Sequence, residues 1–130
     1  MIIDTSAVVA ILRDEVEAEA FATAIVSAIG AAISAASYLE AAIVIDAQCD
    51  PIASRKLDSL LDALAIEIAP VTPSQARLAR QAYRDFGRGS GHSARLNFGD
   101  CFSYALAAER QESLLYKGDD FSHTDLAASL

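Results

Sequence analysis

Four acidic residues stand out by their place in the chain. Asp4 ends the apolar run Met1-Ile2-Ile3. Glu40 lies inside a helical stretch with only Ala36, Ser37, Ile43 and Val44 one turn away. Asp100 opens a helix after Gly99, and Asp119 follows the last apolar run in the turn Gly118-Asp119-Asp120. A carboxylate on an uncharged helix face points into the protein or a crevice, not freely into water. Each acid also has an ordinary structural explanation: Asp4 and Asp100 as helix N-caps, Asp119 and Asp120 as turn residues, Glu40 as the rim of a buried helix. Gathered in one crevice, four acids would repel and raise one another's pKa values unless a cation sat among them. Hard oxygen donors without His or Cys suit Mg²⁺ or Mn²⁺ and disfavour zinc. Such a site serves to acidify water, aim it at a phosphodiester and steady the leaving oxygen. Thr5, Ser6, Asn97 and Ser103 are candidates to hold the carboxylates in place, Ser103 because it shares a helix face with Asp100.

Cations gather elsewhere. Arg77, Arg80, Arg84 and Arg88 follow i, i+3, i+7 and i+11 spacing, with Arg95 just beyond, so five of the ten Lys and Arg residues fall within this one stretch. A solvated helix face and a phosphate-gripping edge explain them equally well. His92 and His123 stand beside no other candidate ligand and read as surface or turn residues. Cys101, with no base spaced to activate it, reads as a packed thiol.

The elements that must position these residues follow from pattern. Met1–Ile3 reads as a buried parallel strand, Thr5–Leu12 as a short helix and Glu15–Ala28 as a longer one. Ala31–Ser34 is a weak strand, and Ser37–Gln48 is helical in spacing. Asp50-Pro51 supplies a cap and a first-position proline for a helix to about Leu64. Ile66–Ile68 alternates as a strand. Thr72-Pro73-Ser74-Gln75 is a capping box opening a helix to about Phe86. Gly87–Gly91 is a flexible loop, Gly99-Asp100 starts a helix to about Glu112, and Leu114–Tyr116 is the last strand. Strands alternating with helices imply an α/β fold, a single domain over 1–130 with a mostly parallel central sheet flanked by helices on both faces. In such sheets ligands bind beyond the carboxyl ends of the strands, which is where Asp4 and Asp119 fall. A Mg²⁺-binding receiver-like domain also clusters acids there, but it needs an acceptor Asp at the end of a central strand, and Ile66-Glu67-Ile68 runs into Ala69-Pro70.

Composition narrows the classes further. With 53% hydrophobic and 22% charged residues the chain is not disordered, and 27 alanines against 6 Gly and 3 Pro favour helix over loop. A net charge of −8 excludes wrapping duplex nucleic acid by bulk charge, leaving only a local basic patch for that task. Ala20–Leu39 has no formal charge and the length of a membrane span, yet it is mostly Ala and Ser and is split by Gly30. It reads as helix, turn and buried strand, so no membrane association is expected. No basic leader precedes Asp4, and Cys49 and Cys101 have no paired spacing, so a reducing, cytoplasmic setting is expected.

From Met1 to Asp125 the chain resembles the PIN-domain ribonucleases, specifically the VapC toxins of toxin–antitoxin pairs. The resemblance rests on Met-Ile-Ile-Asp-Thr-Ser at 1–6, Ser-Tyr-Leu-Glu at 37–40, Leu-Asn-Phe-Gly-Asp-Cys-Phe at 96–102 and Leu-Leu-Tyr-Lys-Gly-Asp-Asp-Phe at 114–121, with Thr124-Asp125 trailing. It implies a Mg²⁺-dependent endoribonuclease, Mn²⁺ being an alternative, that cuts RNA, often structured RNA such as tRNA. It maps the catalytic acids onto Asp4, Glu40, Asp100 and Asp119. Asp4 and Asp100 would be direct metal ligands, with Glu40 and Asp119 completing the site directly or through water. The fourth position is open between Asp119 and Asp120; Asp119 is favoured because it follows the Lys117-Gly118 turn. The resemblance also implies a cognate antitoxin and a homodimer or toxin–antitoxin hetero-oligomer. A catalytically inactive PIN-like binding module is the alternative, and the same metal site could serve a phosphatase or a DNA nuclease.

Overall fold

Residues 1–130 are described by a computed structural model. The elements run β1 (Ile2–Ile3), α1 (Thr5–Leu12), α2 (Ala18–Ser27), β2 (Ala31–Ser34), α3 (Ala35–Asp46), α4 (Pro51–Ala63), β3 (Ile66–Ala69), α5 (Pro73–Phe86), α6 (Asp100–Arg110) and β4 (Leu114–Leu115). The four strands form one sheet in the order β3-β2-β1-β4, and every pairing is parallel. The C-terminal segment adds a short bridge, Leu114 to Ala128, beyond β4.

Both faces of the sheet are covered, as buried parallel strands require. Side chains still alternate. Ile2, Ala32 and Leu114 pack with Ala79 and Ala82 of α5 and with Tyr104 to Ala107 of α6. Ile3, Ile33 and Leu115 face the other way, against Val8 of α1, Phe21 and Ile25 of α2, Ala41 of α3, and Leu57 and Leu61 of α4. One residue of register thus decides which core a side chain joins.

Several element ends differ from the pattern-based expectation. The α2 helix starts at Ala18, not Glu15: Asp14 is left-handed at φ +53° and a turn follows it, in which Lys117 Nζ meets Glu15 and Glu17 at 2.6 and 2.9 Å. The α3 helix starts directly after β2, where the Ser34 hydroxyl accepts from Ala36 N–H, rather than at Ser37. At α5 only half of the capping box forms. The Thr72 hydroxyl accepts from Gln75 N–H, but the Gln75 amide donates to Glu109 of α6 at 2.6 Å. The charge-free Ala20–Leu39 stretch divides into α2, a turn, β2 and the start of α3, and no helix is long and apolar enough to cross a membrane.

Sheet order fixes the place of the site. The chain leaves β1 toward β2 on one side and returns from β3 to β4 on the other, so the strand order reverses at β1 and its carboxyl end lies at the switch point. Asp4 sits at that point, its N–H donating to Leu115 O at 2.9 Å.

Candidate active site

Asp4 caps α1 and serves the crevice at once. Its Oδ2 accepts from the Ser6 N–H at 2.9 Å and the Ser6 hydroxyl at 2.6 Å, and its Oδ1 accepts from the Ser103 hydroxyl at 2.6 Å. The N-cap role and the functional role are therefore compatible: the cap bond aims the carboxylate. Ser6 in turn accepts from Lys117 N–H at 3.0 Å, which ties the segment after β4 to the same carboxylate.

Behind Asp4 runs a buried hydroxyl chain. Ser103 spends its proton on Asp4, so the Ser37 hydroxyl donates to Ser103 Oγ at 3.0 Å, and both serines are fully buried. The Thr5 hydroxyl donates to Ser37 O at 3.0 Å and anchors α1 to α3. Ser37 is a member that sequence reasoning missed. The available signal was its position three residues before Glu40, on the same helix face of an uncharged stretch.

Asp100 is the first residue of α6, but the cap is Asn97. Asn97 Oδ1 accepts from Asp100 N–H at 2.9 Å, and Asp100 Oδ2 accepts from Asn97 N–H at 2.8 Å. This reciprocal pair has the logic of a capping box, and Asp100 is not the side-chain cap that its ordinary structural explanation would make it. Asp100 is only 9% exposed. Burial pushes its carboxyl up to about 7 from an ordinary 3.8; the Asn97 N–H opposes this, and the negative charges of Asp4, Asp120 and Glu40 add to it. Glu40 is likewise raised, by burial first and by the charge of Asp4 second, with the Thr5 hydroxyl pulling the other way. The Cys101 thiol donates to Asn97 O at 3.2 Å and is pushed up to about 11 by burial and by Asp100, which leaves it a packing group and no nucleophile.

Of the two adjacent acids after β4, Asp120 is the one whose charge acts on Asp100. Both Asp119 and Asp120 are exposed on the wall of a depression of about 390 Å³ that also includes Arg88, Arg95, Ser93 and His123. His123, set aside on sequence grounds, is thus beside two acids, whereas His92 accepts from Ala94 N–H and sits edge-on to Phe86 as part of the loop.

The arginines divide into two groups. Arg77, Arg80 and Arg84 line a separate depression of about 430 Å³ on the outer face of α5, with Gln81. Arg88 and Arg95 stand by the acids, joined by a bond from Arg88 Nε to Arg95 O at 3.4 Å. A helical wheel does not anticipate this division, because α5 ends at Phe86 and the chain turns before Arg88.

No three His, Cys, Asp or Glu side chains are gathered tightly enough to form a closed coordination shell by themselves. Asp4 is held by three donors and Asp100 by one, which sets both carboxylates in place as a frame. That frame fits Mg²⁺ or Mn²⁺. Mg²⁺ keeps several waters and takes one or two carboxylates directly, and a cation would offset the burial and the lesser repulsion that raise Asp100 and Glu40.

Comparison with known proteins places the chain in a family. The PIN domain family matches residues 1–126. The chain is 59% identical over 130 residues to a ribonuclease of Mycobacterium tuberculosis named VapC28, covering 100% of this chain and 98% of the relative. Among solved structures, the M. tuberculosis toxin VapC20, described as cleaving the sarcin–ricin loop, superposes with a TM-score of 0.74 at 18% identity, covering 97% of this chain and 95% of that one. A toxin–antitoxin complex from Klebsiella pneumoniae gives a TM-score of 0.74 at 15% identity, covering 95% and 92%.

Proposed function

The chain belongs to the PIN-domain family and is an endoribonuclease of the VapC toxin type, and from that premise we propose that it hydrolyses RNA phosphodiester bonds with a divalent cation, Mg²⁺ or Mn²⁺, at the crevice beside β1. Asp4 and Asp100 would hold the ion directly. Glu40 and one acid of the Asp119-Asp120 pair would complete the site, directly or through water; the effect of its charge on Asp100 supports Asp120 for that place. When bound, the ion supplies Lewis-acid charge at the scissile phosphate and acidifies the attacking water.

The chain's own groups do the positioning. Ser6 and Ser103 keep both oxygens of Asp4 aimed, and Ser37 keeps Ser103 aimed. Asn97 fixes Asp100 while closing the first turn of α6. Arg88 and Arg95, beside the acids, and Arg77, Arg80 and Arg84, on α5, offer cations to phosphates on either side of the cut, in a chain otherwise too acidic to attract RNA. A folded RNA such as tRNA suits this arrangement, since the two arginine groups are separate contact points. The partner is a cognate antitoxin, in a homodimer or a toxin–antitoxin hetero-oligomer.

The observation that carries this reading is Asp4 and Asp100 together: two buried carboxylates, one at a strand end and one at a helix start, each held by dedicated donors and set against further acids. The test is cleavage of tRNA and total RNA by antitoxin-free protein in Mg²⁺ or Mn²⁺ against EDTA, with Asp4→Asn as control. Metal-dependent cleavage lost in the variant is the expected result. Folded protein that cuts no RNA in either metal would overturn the reading in favour of a binding module.

A further inference from the structure

Gly99 has no backbone reason to be glycine. Its φ and ψ are −63° and −43°, ordinary right-handed helix that any L-residue adopts. In such a conformation glycine is the poorer choice, because it orders at greater entropic cost than alanine. Space explains it instead. A methyl group on Gly99 would stand 2.8 Å from Glu40 Cδ and 2.9 Å from Oε1, and closer still to Oε2; all three of its nearest atoms belong to that one carboxylate. Contacts this short do not occur between real atoms, so the carboxylate has to leave. Glu40 is part-exposed and reaches the crevice from α3, so its side chain is free to swing away while the backbone stays.

We propose that Gly99 is a positioning residue: its bare Cα is the seat on which the Glu40 carboxylate rests, and it sets how close Glu40 comes to Asp100, the next residue in the chain. The inference rests on the metal-site reading above and adds a residue to it. Asp100 brings its own carboxylate and, through the residue before it, the surface that places a second one from another helix. A larger residue at 99 would push Glu40 off its seat and away from Asp100 while leaving both acids in the sequence.

The experiment is Mn²⁺ binding by titration calorimetry on four proteins: wild type, Gly99→Ala, Glu40→Ala and the double variant. Thermal melts are run alongside, with Gly89→Ala, whose added methyl meets no atom within 4 Å, as a glycine control. Gly99→Ala is expected to weaken Mn²⁺ about tenfold, to the level of Glu40→Ala. In the Glu40→Ala background the same change is expected to alter affinity less than twofold, because the group it displaces is already gone. That background also removes the close contact, so the double variant folds even if the single one is impaired. Additive losses, or Gly99→Ala binding like wild type while Glu40→Ala is weakened, would overturn the proposal and leave the metal site standing. Undiminished Mn²⁺ binding by Glu40→Ala would instead remove Glu40 from the site and the proposal with it.

Discussion

Asp100→Asn should make the metal-free protein more stable while abolishing its chemistry. The substitution keeps shape: an amide oxygen at the Oδ2 position still accepts from Asn97 N–H, and the amide nitrogen faces acids to which it can donate. What disappears is the charge. Asp100 ionises near 7 in the fold against an ordinary 3.8, so between those pH values the folded chain holds a proton that the unfolded chain has released. Stability therefore falls as pH rises through this window and is flat above it. At pH 8 the full difference is about 4 kcal/mol as a ceiling. Relaxation around the buried carboxyl reduces this to about 2 kcal/mol. For a chain of this length that corresponds to a rise in Tm of about 7 °C at pH 8 in EDTA. At pH 5, where less of the penalty has developed, the rise shrinks to about 3 °C. Mn²⁺ should stabilise the wild type at pH 8 and leave the variant unmoved. The assay is thermal unfolding across pH with and without Mn²⁺, beside RNA cleavage. A variant less stable than wild type by the same amount at both pH values would refute the reasoning, since Asp100 would then be a structural cap and no strained acid.

Ser103→Ala removes one charge-assisted bond to Asp4 and leaves Ser37 without an acceptor, so it should cost about 2 kcal/mol in denaturant unfolding and weaken Mn²⁺ about tenfold. The two adjacent acids should separate in the same titration: Asp120→Asn lowers Mn²⁺ affinity and cleavage, whereas Asp119→Asn changes both less than threefold, about 0.6 kcal/mol. Replacing Arg77, Arg80 and Arg84 together by Gln should weaken RNA binding and reduce the slope of log affinity against log salt by about 2, with Mn²⁺ affinity unchanged. An unchanged salt slope would return those arginines to the solvated helix face.

The sequence by itself determined most of the frame. Apolar runs separated by amphipathic helices specify a parallel α/β sheet, and the Asp50-Pro51 and Thr72-Pro73 starts were legible because caps and first-position prolines act locally. The place of Asp4 at the sheet's carboxyl edge was legible because an acid directly after a buried strand lands there whatever the later topology. Tertiary structure decided what depends on distant residues meeting. The order β3-β2-β1-β4 made the end of β1 the crevice. Packing of α6 beneath Asp4 turned Ser103 and Ser37 into one hydroxyl chain across 66 positions of sequence. Lys117 meets Glu15 and Glu17 in the turn before α2, a contact across about a hundred residues that periodicity does not show. The relation of Asp120 to Asp100 likewise depends on the turn at Gly118, where φ is +97°. Local propensity and periodicity act over a few residues and are written in order along the chain; side-chain distance is set by where whole elements pack, and no single segment carries it.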